Sequence, residues 1–456
     1  MSPIEFRAGV AEVDITPPMG VEMCGYGPYE KRTCGEVLDP LFARALWLQG
    51  QGGDLVIISA DLCTTDLAVR DRAASILNER FGVPPANVMI AATHTHSGPA
   101  VQEMIGWGER DAAYMACLPE LFAEAASRAH AALTPARIGA ARTLIHGVGL
   151  NRNLPWIGPT DPAAQILRVD RADGSPLGVL FNYGAHCVGR YPFTRRISAD
   201  WAGLAAAGVK ARTGAVAIFL QGACGDINVH EMTFARSDVD TQQKLCDMRV
   251  GEAAWRFCQQ VVPAVAGIRT EPAGEIRASW KMLDLPCVAP DRAALEQVVS
   301  QRSAGARAMT LAQIRPLSER MASETPQEKQ WREDRFFCDS ARRQLELMRN
   351  PPFVRKAPVQ VLRVGSIVFA GWPCEAFVEL GMELRQRSPF PMTFLSTFTN
   401  DTAGYVPTPA CFESKGKGND FGLYPRERTP LLYAHLPYRA DVGRVLVEET
   451  LAMIES

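Results

Sequence analysis

The chain has 456 residues, 47% hydrophobic and 21% charged, with a net charge of −2 and a pI near 6.4. That balance describes one large or two medium globular domains, with enough core to fold without disulfides or a structural metal. It excludes a strongly basic nucleic-acid binder, and with no apolar run of about 18 residues it predicts no membrane-spanning helix.

The N-terminal text "MSPIEFRAGVAEVDITPP" has no basic stretch followed by an apolar one. The expectation is therefore a chain without a secretory signal, residing in the cytoplasm. The 12 cysteines are scattered, with no CxxC pair. In that compartment they are expected as reduced thiols, most of them small buried hydrophobes.

In chain order, Leu55–Ala60 ("LVIISA") is an apolar, β-branched run and predicts a buried strand ending at Asp61. Helical spacing follows over 68–81. "GVPPAN" breaks it, and "VMIAAT" predicts a second buried strand running into His94. Residues 120–133 predict a helix. Strands are expected at "LGVLFN" before His186, at "AVAIFL" before the glycine loop "QGACGD", and over 361–370 before "GWPCE". "MTFLSTFTN" leads in the same way into "DTAGYVPTP". Residues 291–350, rich in Arg, Glu, Gln and Ala, predict a helical insertion that acts as a lid or packing arm, and 438–456 predict a terminal helix. Strands interleaved with helices give an α/β fold class: one large catalytic domain over 1–456, with mixed β-sheets and surrounding helices. Potentially chemical residues sit repeatedly just past strand ends, where such sheets place ligands.

Each candidate has a functional and a plain reading. His94 and His96 in "ATHTHSGP" are two of only seven histidines. On an extended chain they project to one side, roughly 6–7 Å apart, so one metal could lie between them, or one could hold metal while the other handles protons. Paired loop histidines are the plain reading. His186 in "NYGAHCVGR" suits a ligand or a satisfied core histidine. Asp200 in "ISADWAG" suits a base, an orienting carboxylate or a helix cap. Cys224, between two glycines in "QGACGD", suits an exposed nucleophile or a tight turn. Glu375, read as opening a helix, suits a ligand or a carboxylate favoured by the helix dipole. Tyr405, in the loop "DTAGYVPTP", suits an oxyanion donor or a buried phenol.

Eight texts in order, "RAGVAEVDITPP", "ATHTHSGP", "GLNRN", "NYGAHCVG", "ISADWAG", "LQGACGDINV", "GWPCEAFVELG" and "TAGYVPTP", together resemble the neutral/alkaline non-lysosomal ceramidase family. The resemblance covers most of residues 6–435. It implies a zinc amidase that cleaves an N-acyl bond, with one zinc per chain held by His94, His186 and Glu375, and Tyr405 as an additional or outer ligand. It implies His96 as the proton handler and Arg152 as the residue facing the substrate carbonyl. Cys224, Asp200 and Gly225 become candidates for the substrate pocket. Against the family, the expectation is a chain without the C-terminal immunoglobulin-like domain; it also carries Cys224 where the family has serine, and a charged loop "CFESKGKGNDFG" after Tyr405 that is expected to reshape the pocket mouth. The expected partner is a small acyl or lipid-like molecule other than ceramide. An ester or lactone hydrolase on the same site, a cysteine hydrolase using Cys224, and a non-catalytic metal- or ligand-binding protein remain as alternatives.

Overall fold

The computed structural model describes residues 5–155, 157–232, 238–321, 323–413 and 424–456. Most of the charged loop after Tyr405, residues 414–422, lies outside these.

The first half of the chain builds an eight-stranded mixed sheet from β1 (Arg7–Asp14), β2 (Phe42–Gly50), β3 (Gly53–Ala60), β4 (Val88–Ala92), β5 (Thr134–Leu144), β6 (Ala163–Arg171), β7 (Pro176–Tyr183) and β8 (Val216–Gln221). Their spatial order is β8-β7-β6-β5-β1-β2-β3-β4. The interior pairs are antiparallel, and only the two outermost pairs, β8 with β7 and β3 with β4, are parallel. The parallel pairs are those whose connections carry a helix. Leu67–Phe81 joins β3 to β4, and Asp200–Thr213 lies between β7 and β8. Asp66 caps the first of these by accepting from the backbone N–H groups of Ala68 and Val69, and Gly82 ends it at φ 73°, a conformation that favours glycine.

A second sheet runs β9 (Ile276–Pro286), β10 (Val354–Val364), β11 (Ile367–Gly371), β12 (Met392–Ser396) in spatial order. Alternation along the strands explains why the sheets stack. In β3, Val56 and Ile58 pack with the helices Leu67–Phe81 and Ala112–Ala131, while Leu55 and Ile57 face Leu362, Phe369 and Phe394 of the second sheet. In β8, Phe219 packs against the helical side and Ile218 and Leu220 face the second sheet. With period 2, each strand feeds both cores. The helices Val378–Arg387 and Val442–Glu455 cover the far face of the second sheet. The result is four layers: helices, sheet, sheet, helices.

The segment after β12 ties the opposite edges of the large sheet together. Thr397 N donates to Gln221 O of β8 at 2.8 Å, Ala92 N of β4 donates to Phe398 O at 3.1 Å, and Asn400 N donates to Ile90 O at 2.7 Å. Strands at opposite ends of the sheet order therefore finish side by side, and their loops meet.

Between β9 and β10 the chain forms the helices Arg292–Arg307, Leu317–Arg320 and Pro326–Leu347. They are anchored on the loop before β2. Arg332 Nη1 lies 2.8 Å from Glu30 Oε1, Arg320 Nη2 lies 3.1 Å from Glu30 Oε2, and Tyr29 Oη donates to Asp339 at 2.9 Å. Two expectations are corrected. The helix read at 120–133 runs over Ala112–Ala131, begun by Asp111, whose carboxylate accepts from Tyr114 N. Glu375 precedes its helix, which starts at Val378; Glu375 itself pairs with Tyr405 in a two-residue parallel ladder.

Candidate active site

His94 and His186 come from loops past strand ends, Glu375 and Tyr405 from the two-residue ladder, and the four converge at one cleft. His94 follows β4 and is buried at φ 68°. Its ring stacks on Phe398, with centroids 3.7 Å apart and planes 15° apart. The expectation of an extended His94-Thr95-His96 stretch is corrected by that φ. The left-handed turn folds the chain so that the two imidazoles approach with Nε2 atoms 3.0 Å apart. A non-glycine residue in this region is held against a local cost, and such strain clusters at functional sites.

The carbonyls around the rings fix which nitrogen faces the centre. His94 Nδ1–H donates to Cys63 O at 2.6 Å, His96 Nδ1–H to Gly25 O at 2.8 Å, and His186 Nδ1–H to Cys224 O. Each neutral ring so anchored presents its Nε2 lone pair. His186 Nε2 lies 3.0 Å from Glu375 Oε2, and His94 Nε2 lies 3.5 Å from the same oxygen. The other oxygen, Oε1, accepts from the hydroxyl of Tyr433. Tyr405 Oη stands 3.4 Å from His186 Nε2 and accepts from Arg152 Nη2 at 2.6 Å; the same Nη2 donates to Gly225 O at 2.6 Å.

Electrostatics follows from burial. Desolvation foremost, with the charge of Arg152 added, pushes His186 down to about 4. Desolvation, and then the neighbouring imidazoles, push His96 well below its usual range. Burial raises the Glu375 carboxyl, but His94 and His186 outweigh it and hold it well below the usual carboxylate range. Burial raises the Tyr405 phenol despite Arg152.

The ligand atoms of His94, His186 and Glu375 all lie within 4.8 Å of one another. Two imidazole lone pairs and an ionised carboxylate oxygen point at one buried place, where among the described residues the Tyr405 hydroxyl, 3.4 Å from His186 Nε2, is the donor beside them. Nitrogen and carboxylate ligands of that kind fit a divalent ion such as zinc, with the outer imidazole anchors that metal-binding histidines use. Cys63, His94 and His96 form a second close group, but His94 Nδ1, the nitrogen 3.8 Å from Cys63 Sγ, already donates to the Cys63 carbonyl.

Above the group opens a cleft of about 1000 Å³, whose lining includes His96, Arg152 and Tyr405. The expectation that Asp200, Cys224 and Gly225 line it is corrected: none of the three does. Asp200 is fully buried at φ 57° and accepts from Gly189 N and Arg190 N, which pins the loop after His186. The Cys224 thiol is fully buried, and burial pushes it well above its usual pKa, so the residue serves the site through its carbonyl. A Cβ on Gly225 would lie 2.6 Å from Glu375 O, so this glycine admits the Glu375 strand.

Four contributors were not found in the sequence. Phe398 stacks on His94, Tyr26 packs its ring edge against His96 at 5.2 Å, Tyr433 holds Glu375, and Arg32 Nη2 donates to His96 O at 2.6 Å. Only Phe398, inside the expected strand text "MTFLSTFTN", carried a positional signal.

The neutral/alkaline non-lysosomal ceramidase N-terminal family model matches residues 6–260. That stretch holds His94, His96, Arg152 and His186, while Glu375 and Tyr405 lie beyond it. Neutral ceramidase of Mycobacterium tuberculosis is 28% identical over 208 residues, 40% of this chain and 32% of that protein. Neutral ceramidase of Pseudomonas aeruginosa is 27% identical over 250 residues, 49% of this chain and 37% of that protein. The matched stretches thus span about a third of these relatives. Among solved structures, a ceramidase complexed with C2 superposes at TM-score 0.71 and 18% identity, and neutral ceramidase from Pseudomonas aeruginosa at 0.69 and 20%. Each covers 99% of this chain and 75% of the other, and the likeness extends the fold match past residue 260. With more than half of its length matched by the family model, the chain belongs to the neutral/alkaline non-lysosomal ceramidase family.

Proposed function

We propose that the chain is a zinc-dependent hydrolase of an N-acyl amide bond, with one ion per chain held by His94, His186 and Glu375 and with Tyr405 at its edge. The observation that carries this reading is the set of carbonyl-anchored imidazoles, which turn their Nε2 lone pairs toward the Glu375 carboxylate beneath the cleft. The names of the family and its relatives favour an amide as the bond. When bound, zinc supplies Lewis acidity toward a carbonyl and lowers the pKa of water.

The protein's own groups do the rest. His96 lines the cleft and can exchange a proton only at Nε2, because Nδ1–H is held by Gly25 O. Burial keeps it neutral at pH 7, ready to take a proton from the attacking water and return it to the departing nitrogen. Arg152 and the Tyr405 hydroxyl form a positive, donor-bearing edge for the carbonyl oxygen as it gains negative charge. Arg152 needs no reorganisation to do so, since Gly225 O and Tyr405 already hold it.

The test is amine release from N-acyl amides in the presence of 1,10-phenanthroline. The reading expects loss of turnover and its recovery on adding zinc. Turnover unaffected by the chelator contradicts it. Faster turnover of matched esters than of amides moves the assignment to the ester alternative.

A further inference from the structure

Residues 21–34 form a loop closed at its base, where Met23 N donates to Arg32 O at 2.7 Å and Cys34 N to Val21 O at 2.9 Å. One side of this loop holds His96. Gly25 O takes the imidazole Nδ1–H, the Tyr26 ring packs against the imidazole, and Arg32 Nη2 donates to His96 O and to Cys24 O. The imidazole must stay in one place to pass protons, and the groups behind the loop decide how firmly it does.

Those groups belong to the helical insertion, which grips four residues in succession. Pro28 O accepts from Arg332 Nη1 at 2.9 Å. Tyr29 Oη donates to Asp339, and its ring lies 5.5 Å from that of Trp331. Glu30 meets Arg332 and Arg320 with its two carboxylate oxygens, and Arg320 Nη2 also donates to Glu30 O at 2.5 Å. Lys31 O accepts from Leu317 N at 3.3 Å, and Lys31 Nζ donates to Ile314 O at 3.1 Å. Tyr29 and Lys31, on either side of Glu30, are left-handed at φ 50° and 48°. Non-glycine residues persist in that conformation where their surroundings over-determine them. Glu30, Arg320 and Arg332 are all buried, and Glu324 bridges the two guanidinium groups. A buried ion cluster is a poor source of stability compared with apolar packing, and its better-attested use is to fix one arrangement.

We infer that Glu30 is a positioning residue for His96: its buried ion pairs with Arg320 and Arg332 clamp the loop whose Gly25 carbonyl orients the imidazole. The inference rests on the hydrolase reading for the proton step, whereas the clamp itself concerns the ring alone. Neutralising Glu30 lets the left-handed tip relax and carries the Gly25 carbonyl off Nδ1–H. A displacement of about 1 Å at a reacting group costs roughly 10²-fold in rate. If Glu30 served to dock the insertion and nothing more, its loss would lower stability without any special link to His96.

The test compares wild type, Glu30→Gln, His96→Ala and the double variant as full chains with zinc added. NMR of protein carrying isotope-labelled histidine follows the ring N–H signals, the His96 signal being the one missing from His96→Ala. Turnover is read on the para-nitroanilide of hexanoic acid. Glu30→Gln is expected to lose the His96 ring N–H signal to exchange with water while the His94 and His186 signals remain. Its kcat should fall about tenfold or more, with KM and zinc content unchanged. In the His96→Ala background the same substitution should change kcat by less than about twofold, because the two residues act through one ring. An unaltered His96 signal in Glu30→Gln, no protected His96 signal in wild type, an equal fall in kcat in both backgrounds, or loss of all three signals together overturns the inference. If Glu30→Gln does not fold, the charge-balanced Glu30→Gln/Arg332→Met protein decides by the same criteria. Selective loss of the His96 signal in a protein that releases no amine even as wild type supports the clamp and counts against the hydrolase reading instead.

Discussion

The imidazoles of His94 and His96 meet Nε2 to Nε2 at 3.0 Å, with one residue between them in the chain. A left-handed His94 makes the approach possible, and the carbonyls of Cys63 and Gly25 fix both rings with their lone pairs inward. One ring is buried beside Glu375, and the other lines the cleft. Their difference in role follows from that difference in place.

His96→Ala should therefore keep the metal and lose turnover. General acid–base groups contribute roughly 10²–10⁴-fold, and a fall in kcat of that order with unchanged zinc content is expected. Near-native kcat would remove His96 from proton transfer.

The ring of His96 is held from below by Gly25. This glycine sits at φ 106°, and a Cβ there would lie 2.6 Å from the His96 side chain. Gly25→Ala should push the imidazole off its carbonyl anchor, lowering kcat at least tenfold while zinc remains bound at His94 and His186. Unchanged kcat in a folded, zinc-loaded variant would show that the anchor is dispensable.

Much of this site was legible because its residues follow strands. The apolar runs before His94, His186 and Cys224 each end in a strand of the large sheet, and the order of motifs carried the family. What could not be read was convergence. Nothing in the local text shows that Thr397–Asn400 pulls β4 and β8 together, or that Tyr433 reaches Glu375, because both depend on contacts between segments far apart in the chain. Cys224 and Asp200 were legible as unusual residues but not as buried ones. A glycine-flanked thiol reads alike whether its side chain or its carbonyl faces the site.

Cys224→Ser should accordingly be tolerated in activity. A buried hydroxyl without a partner costs about 1–3 kcal/mol, so the variant should melt earlier yet turn over substrate. Iodoacetamide on the native protein should spare activity that a chelator abolishes. Complete loss of kcat in a folded, zinc-loaded Cys224→Ser protein would revive the thiol mechanism.

Asp226 gives a pH signature. Its carboxylate accepts from Val378 N and Asn151 Nδ2, yet burial foremost raises it to about 6. A carboxyl raised in the folded state contributes most stability at low pH, and that contribution is lost as pH rises through about 6. Asp226→Asn removes the titration. Relative to wild type, the variant should gain about 1–2 °C in Tm between pH 5 and pH 8. A Tm difference independent of pH would contradict this assignment of the charge.

The most direct test of the central claim is zinc per chain by elemental analysis of purified wild type and His94→Ala. The account predicts one zinc in wild type and its loss in the variant, with the fold retained by circular dichroism. A wild type that takes up no metal on loading, or a His94→Ala protein that keeps a full equivalent, would contradict it.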